Sequence, residues 1–424
     1  MKRIIPVLFA LSVFGSAFGQ KADTLSIEEC FRIASDRSPL TRQKSNYEES
    51  LSHKIKNLNN NWFPSVGFNA QATYNSETVD FSDFMGDLPV SMPSLPLDQY
   101  KIWADINQQL YDGGMIKAQK AVEIAGYEAD IQQVESELLV VKQQVNQVYF
   151  SMLVNKKSSD ILQLSLDELL ERKKVIKAGV DNGVVLQENM LALEAEELRM
   201  QQRLLELELN QDRLFKILSI LMDSTLTGNL VIADPIEMDG MDESVNRPEY
   251  VMFDKQKERL LAGQRLVTAS DMPLFFAFSQ AAYGRPGYNF VSTEFHPFYM
   301  VGVGMKWNFL HYGDSRRQKK ILDIQKDMIE IKRETFNDQL NIQLQTENTN
   351  MVKYNELLSR DEQILKLRKA ISATSLFKLT SGIITSTDYL TDLNAEILAR
   401  LQYENHKILR VQAIYSYMLL QGKL

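Results

Sequence analysis

Two hydrophobic periodicities alternate along this chain. Some short segments place apolar residues at every second position, as strands do, whereas long segments repeat them every three to four positions, as helices do. From Val66 to Tyr74, apolar residues alternate with polar ones. In residues 274–284, Phe276 and Phe278 break the alternation and leave its phase uncertain. The pattern predicts strands at about 64–75, 99–111, 274–284 and 298–310, and long helices at about 115–178, 185–222, 315–380 and 385–420.

The same order of elements occurs twice. Pro64 and Tyr74 recur as Pro273 and Tyr283, and Gly113 and Gly183 recur as Gly313 and Gly382. Such self-similarity is typical of a duplicated structural unit. We expect a first repeat at residues 20–223, a mixed equatorial linker at 224–246 and a second repeat at 247–424.

The predicted helices are unusually long. No proline occurs between Met115 and Ala178, and at 1.5 Å per residue this segment spans about 96 Å. Its apolar residues repeat every 3.5 positions on average, which indicates helices that supercoil around their neighbours. A shorter helix is expected to begin at the capping-box serine Ser26 and to run to about Asn60.

The N-terminal sequence and the composition limit the possible classes of function. Lys2 and Arg3, an apolar stretch and a small-residue site indicate a cleaved signal peptide at residues 1–19 and therefore export. The net charge of −8 argues against a nucleic-acid partner. Cys30 is the single cysteine, so no intrachain disulfide can form. No later run of residues is apolar enough for a membrane-spanning helix.

The strands fit a membrane better than a soluble sheet. About ten residues suffice for a tilted strand to cross a bilayer, and one face of the strands is apolar. Four strands leave open edges, so closure in lipid needs further copies, and a pore favours three chains. The alternative is an exported coiled-coil scaffold or interaction protein with a soluble sheet. Aromatic residues that suit a membrane-interface girdle are Trp62, Phe63, Tyr111, Phe275, Trp307 and Phe309.

Four motifs resemble the TolC family of outer-membrane efflux proteins. They are the opening helix LSIEECFRIASDRSPL, the strand entry NWFPSVGFNAQATY, the strand exit QQLYDGGMIKAQKAVEIA and the hairpin tip SGIITSTDYLTDLNAEI. The resemblance covers essentially the whole mature chain. It implies a mainly helical fold with four transmembrane strands per chain, in a homotrimeric tunnel from the outer membrane of a Gram-negative bacterium into the periplasm.

The resemblance also implies partners and a role. The protein would be the passive exit duct of a tripartite efflux or type I secretion system. A periplasmic adaptor would gate it at the helical tips and connect it to an inner-membrane pump. The sequence does not identify the cargo, which can be a drug, metal ion, peptide, protein or polysaccharide.

The helical hairpin tips carry the expected functional residues. By resemblance, Asp388 occupies the position of an acidic constriction ring, with Asp392 as a second candidate and Asn189 at the matching place in the first repeat. A helix-start acid is the structural alternative for Asp388. The adaptor-docking candidates are Asn182, Gly183, Val184 and Val185 in the first tip and Ser381, Gly382, Ile383, Ile384 and Thr385 in the second.

No pattern indicates catalysis. The four histidines lack metal-ligand spacing, and no phosphate-binding loop or nucleophile motif is present. We therefore expect no enzymatic activity, no metal site and no cofactor.

Overall fold

The computed structural model describes residues 24–78, 95–224, 231–236, 244–289, 292–310 and 312–424. The expected signal peptide lies outside them, as does part of the expected linker. The elements are β1 (Thr24–Leu25), α1 (Ile27–Arg37), α2 (Pro39–Asn60), β2 (Ser65–Tyr74), β3 (Asp98–Tyr111), α3 (Met115–Asp181), α4 (Gln187–Leu221), β4 (Val231–Ile232), α5 (Pro248–Ser270), β5 (Leu274–Arg285), β6 (His296–Lys306), α6 (Asp314–Thr380) and α7 (Ser386–Gln421).

The predicted helix from Ser26 to Asn60 is two helices, and the single-helix prediction was wrong. Pro39 disfavours helical geometry at the preceding residue, and Ser38 accordingly has ψ 136°. The Ser38 hydroxyl then accepts a hydrogen bond from the Leu40 backbone N–H at 3.3 Å and caps α2. The chain therefore changes direction between α1 and α2.

Both repeats contribute to one antiparallel sheet. Its strand order is β2-β3-β5-β6, so the repeats meet where β3 pairs with β5. The register aligns Phe68 with Ala104, Ala104 with Ala281 and Ala281 with Tyr299. The outer sides of β2 and β6 have no partner strand among the described residues. The sheet is therefore open at both edges.

Strand β6 is shorter than the predicted 298–310 at its C-terminal end. The last pair of the ladder joins Leu274 to Lys306, because Pro273 on the partner side has no N–H to donate. The Trp307 indole N–H instead donates to the Asp271 carbonyl oxygen at 3.0 Å. Trp307 and Phe309 consequently lie in the connection between sheet and helix.

Two very long helices run through the molecule. Helices α3 and α6 have 67 residues each, which corresponds to about 100 Å. Near the sheet, neighbouring helices are in the order α2-α3-α5-α6, and towards the turn between α3 and α4 the order is α4-α3-α7-α6. Helix α5 was not predicted, although Pro248 in its first turn is a common start signal. No helix in the described part of the chain is apolar over a length that would cross a bilayer.

A buried waist joins the N-terminal segment to the long helices. The short strands β1 and β4 pair in parallel, and the Tyr149 hydroxyl donates towards the Leu25 and Ala233 carbonyl oxygens at 3.1 and 2.7 Å. The Tyr415 hydroxyl donates to Glu28 at 2.6 Å. Phe150 lies between these tyrosines and is fully buried. We name this cluster the waist core.

Candidate functional site: sheet faces and hairpin tips

One face of the sheet is apolar and exposed. Val66, Phe68, Tyr299, Val301 and Val303 are each between 72% and 81% exposed. The register places all five on the same face, together with Ile102 and Ile106 of β3. An apolar patch that extends over four strands exceeds the scattered apolar residues of an ordinary soluble surface. This apolar face needs a lipid or protein environment.

The structure resolves the phase of β5. Phe275, Ala277 and Ala281 lie on the apolar face, whereas Phe276 and Phe278 lie on the opposite one. A Cβ atom on Gly304 would lie 2.5 Å from the Phe276 ring, and one on Gly302 would lie 2.6 Å from the Phe278 ring. The glycines thus leave room for the two rings, so the first half of β5 is apolar on both faces.

The other face of the sheet carries a hydrogen-bonded polar network around Asp105. Its carboxylate accepts hydrogen bonds from Asn69 at 2.6 Å, Trp103 at 3.0 Å and Gln280 at 2.8 Å. The Lys101 ammonium group donates to Gln280 at 3.0 Å and lies 4.8 Å from the Trp103 ring centroid. This polar face connects β2, β3 and β5 and can line a water-filled interior.

All six predicted girdle residues lie where the sheet meets the helices. They are between 40% and 69% exposed. The Tyr111 and Phe275 rings are 6.1 Å apart, and the Trp307 and Phe309 rings are 5.9 Å apart. The full set is Trp62, Phe63, Tyr111, Phe275, Trp307 and Phe309. Their position at the sheet–helix junction is compatible with a membrane interface, which stays a prediction.

At the far end of the helices, two tight turns of the same geometry form the hairpin tips. Gly183 and Gly382 have φ values of 72° and 71°, which side chains other than glycine rarely adopt. The N–H of the residue after each glycine bonds back to the carbonyl of Gly179 or Lys378 at 2.9 Å. These bonds follow the Schellman pattern, and Asn182 and Ser381 are the helix caps.

Each tip has one outward and one inward apolar residue. Val184 is 81% exposed and Ile383 is 68% exposed. The next residues, Val185 and Ile384, pack against a buried cluster that includes Leu169, Leu193 and Leu393. The structure therefore separates the four apolar docking candidates into two surface side chains and two that anchor the turns.

Asp388 caps helix α7. Its carboxylate accepts hydrogen bonds from the Thr385 N–H at 3.0 Å and the Thr385 hydroxyl at 2.7 Å. The Thr385 hydroxyl in turn accepts from the Asp388 N–H at 3.2 Å, which completes a capping box. The hydroxyl and N–H of Thr385 lower the pKa of Asp388. The cap therefore contributes at neutral pH, and its contribution is lost as the pH falls through that lowered pKa.

Asn189 and Asp392 have partners inside the same chain. The Asn189 side-chain oxygen accepts from the Ser386 backbone N–H at 2.7 Å, so the first hairpin caps the start of α7 in the second. Asp392 accepts from the Ser375 hydroxyl of α6 and is half-buried. The Asn189 contact was not predicted, because the two residues are 197 positions apart. Asp388 is the exposed acid of the three candidates.

No metal site emerges among the residues that the structure describes. No group of three or more His, Cys, Asp or Glu side chains there is placed to hold an ion. Cys30 is buried in the waist core, and burial raises the pKa of its thiol to about 12. Such a thiol reacts slowly at neutral pH, because the thiolate is the reactive form.

Residues 33–219 match the family model of outer membrane efflux proteins. No curated protein matches the chain significantly. Among solved structures, the outer membrane protein VceC of Vibrio cholerae is similar with a TM-score of 0.69 at 11% identity, covering 93% of this chain and 96% of that one. The outer membrane channel CmeC of Campylobacter jejuni gives 0.67 at 12%, covering 94% and 85%. The open-state outer membrane channel MtrE of Neisseria gonorrhoeae gives 0.68 at 12%, covering 93% and 88%.

Residues 33–219 thus carry the outer membrane efflux protein family's sequence pattern, and the chain as a whole has the fold of solved outer-membrane channels. This confirms the resemblance to TolC-like proteins. The family consists of channels, which agrees with the prediction that the chain is not an enzyme. At these identities the solved structures establish the fold alone.

Proposed function

We propose that three copies of this chain assemble into a closed channel-tunnel in the outer membrane of a Gram-negative bacterium. Three chains with four strands each give a barrel of twelve strands, and the helices continue it into the periplasm as a tunnel. The observation that carries this proposal is the four-stranded sheet with one exposed apolar face and two open edges. Such edges are tolerated in lipid only when another copy pairs with them.

The order of the elements supports a ring. Strands β2 and β6 are the edges of the sheet, and α2 and α6 are the edge helices of the wall beneath it. The edge of one copy therefore differs from the edge that it would meet on the next. Such head-to-tail interfaces close into rings when the rotation fits.

Exposed apolar stripes mark the edge helices nearer the tips. Leu191, Leu198 and Leu205 on α4 follow heptad spacing and are more than half exposed. On α6, Ile364 and Leu367 are exposed at helical spacing. Such stripes are typical of helices that pack against a partner helix. The α4 edge of one copy and the α6 edge of the next are suited to bury each other.

The proposed duct is passive. The polar face around Asp105 would line the barrel, the apolar face would contact lipid, and the helices would carry the bore across the periplasm. Transport energy would come from an inner-membrane pump that is connected through a periplasmic adaptor. Conduction through such a water-filled bore requires no cofactor.

We propose that Asp388 lines the narrow tip in addition to capping α7. In a trimer its three copies would form a ring of carboxylates that attracts cations. Replacement of Asp388 by alanine should increase single-channel conductance in planar bilayers severalfold and weaken block by multivalent cations. Thr385→Ala, which keeps the carboxylate but removes its capping hydroxyl, is the control. Unchanged conductance and block in Asp388→Ala would remove Asp388 from the bore, whereas absence of any channel would refute the duct itself.

The exposed tip residues are proposed to dock the adaptor. A photo-crosslinker attached to a cysteine at position 184 or 383 should capture a periplasmic adaptor that peptide masses identify. Cys30 will not compete for the label, since its thiol is buried and its pKa is raised. A cysteine at Leu164, which is 51% exposed on α3 at about 26 Å from its tip end, is the control position. Capture from position 164 and not from the tips would refute tip docking.

A further inference from the structure

A basic groove lies just below the sheet, between helices α3 and α5. Its volume is about 380 Å³. The groove is lined by Gly114, Lys117, Ala121, Arg265, Thr268 and Met272, among others. It thus combines two cationic side chains with a small apolar floor.

The positive charge of this groove is not neutralised within the described chain. Lys117 and Arg265 are exposed, and neither forms an ion pair with a described acidic residue. Asp112 is the acid closest to Lys117 in sequence. Its two carboxylate oxygens accept hydrogen bonds from the Gly114 N–H at 2.9 Å and the Ile116 N–H at 2.7 Å. The start of α3 is therefore capped by its own chain, and the two side chains supply the free positive charge.

The groove opens on the same side as the apolar face of the sheet. Met272, which lines the groove, is 43% exposed and contacts the turn before α3. The nearby Phe275 ring belongs to the apolar face and packs on Tyr111. A second groove at this level is lined by Phe276 and Lys306 of the polar face. Lys117 and Ala121 lie on the side of α3 that faces away from Met115 and Ile116, which line that second groove. The Lys117–Arg265 groove is therefore on the side of the apolar face, which is the outer side in the proposed channel.

Basic residues occur near the sheet on all four helices at this end of the molecule. Each of the four wall helices near the sheet carries an exposed basic residue within two turns of its strand junction. At 1.5 Å per residue, each of them lies within about 8 Å of that end of its helix. The four residues are Lys56 on α2, Lys117 on α3, Arg265 on α5 and Arg317 on α6.

We propose that the Lys117–Arg265 groove binds the phosphate headgroup of an anionic phospholipid in the periplasmic leaflet of the outer membrane. This inference rests on the proposed membrane position of the sheet. Arg265 can bind phosphate oxygens through two N–H groups, and Lys117 adds a mobile point charge. Ala121 and Met272 offer apolar contact to the glycerol and the first acyl carbons. Basic residues at a membrane surface attract anionic lipids over a short range.

The test uses the full-length assembled protein in phosphatidylcholine vesicles that contain spin-labelled phosphatidylglycerol or spin-labelled phosphatidylcholine. The ratio of the protein-associated fractions of the two labels measures the preference for the anionic lipid. The double variant Lys117→Gln, Arg265→Gln should reduce that preference on the order of fivefold. The matched control is Lys177→Gln, Lys369→Gln, which removes the same charge from exposed positions near the tips and should change nothing.

Two results would overturn the inference. One is an unchanged preference in the Lys117, Arg265 double variant, and the other is an equal loss in the tip control. Flotation of the vesicles, measured first, separates this inference from the proposed function. Protein that floats without a preference for the anionic lipid refutes the groove alone, whereas protein that does not float refutes both.

Discussion

Val301→Arg should abolish insertion of the protein into membranes. Val301 is 72% exposed on the apolar face and lies at the middle of β6, opposite Ser279. If that face contacts lipid, an arginine near the bilayer midplane costs about 2 to 4 kcal/mol per chain. The penalty applies in every copy of the assembly. The measurement is the fraction of protein that is recovered in the outer membrane after expression of the full sequence.

The neighbouring position supplies the control for this substitution. Met300 lies on the opposite face of the same strand, where the register pairs it with Gln280 of the Asp105 network. An arginine at position 300 can reach water in the proposed interior, so Met300→Arg should insert at close to the wild-type level. Equal recovery of both variants would contradict a lipid-facing apolar surface, because the two substitutions differ chiefly in the face that they charge.

Phe150→Ala should lower the free energy of unfolding more than any substitution at the tips. The Phe150 side chain has 0% exposure and contacts the rings of Tyr149 and Tyr415, at 5.9 and 5.7 Å between centroids. Truncation of a buried phenylalanine typically costs about 3 to 5 kcal/mol. The loss should appear as a lower midpoint in thermal unfolding, followed by the helical circular dichroism signal.

Phe377→Ala is the matched control for Phe150→Ala in the waist core. Phe377 is 70% exposed near the end of α6, so removal of its ring creates no cavity in the chain. The midpoint should then change little. If Phe377→Ala lowers the midpoint as much as Phe150→Ala does, the waist core is not the part of the chain that determines its stability.

The alternation of apolar and polar residues predicted most of the sheet. In β2, β3 and β6 each strand has one apolar face, so a period of two is visible in the sequence. Strand β5 lies between β3 and β6 and packs Phe276 and Phe278 against glycines on the polar face. Its pattern could not be interpreted alone, because it depends on Gly302 and Gly304 in another strand.

Helix boundaries were predictable where the signal is local. Gly183 and Gly382 mark turns through their own conformational freedom, and Ser26 caps α1 through a hydroxyl bond to the Glu29 N–H. The break at Ser38 was also marked locally, by Pro39. The prediction of one continuous helix from Ser26 to Asn60 overlooked this signal.

The roles of the candidate site residues were likewise predictable only where the signal is local. The capping role of Asp388 follows from its spacing to Thr385, which is a short-range feature. The contact between Asn189 and the Ser386 N–H joins the two repeats and has no local signature. The basic groove depends on the packing of α3 against α5, so the sequence places Lys117 and Arg265 148 residues apart without indicating that they meet.

The most direct test of the trimeric channel is the mass of the detergent-extracted protein by native mass spectrometry. Membranes of expressing cells are extracted without denaturation, and the mass of the intact particle is divided by the mass of one chain measured after denaturation. A ratio of three, with β2 of one copy paired to β6 of the next in a cryo-electron-microscopy map, is the expected result. A single chain that remains in the aqueous fraction and buries its apolar face against its own helices would contradict the account.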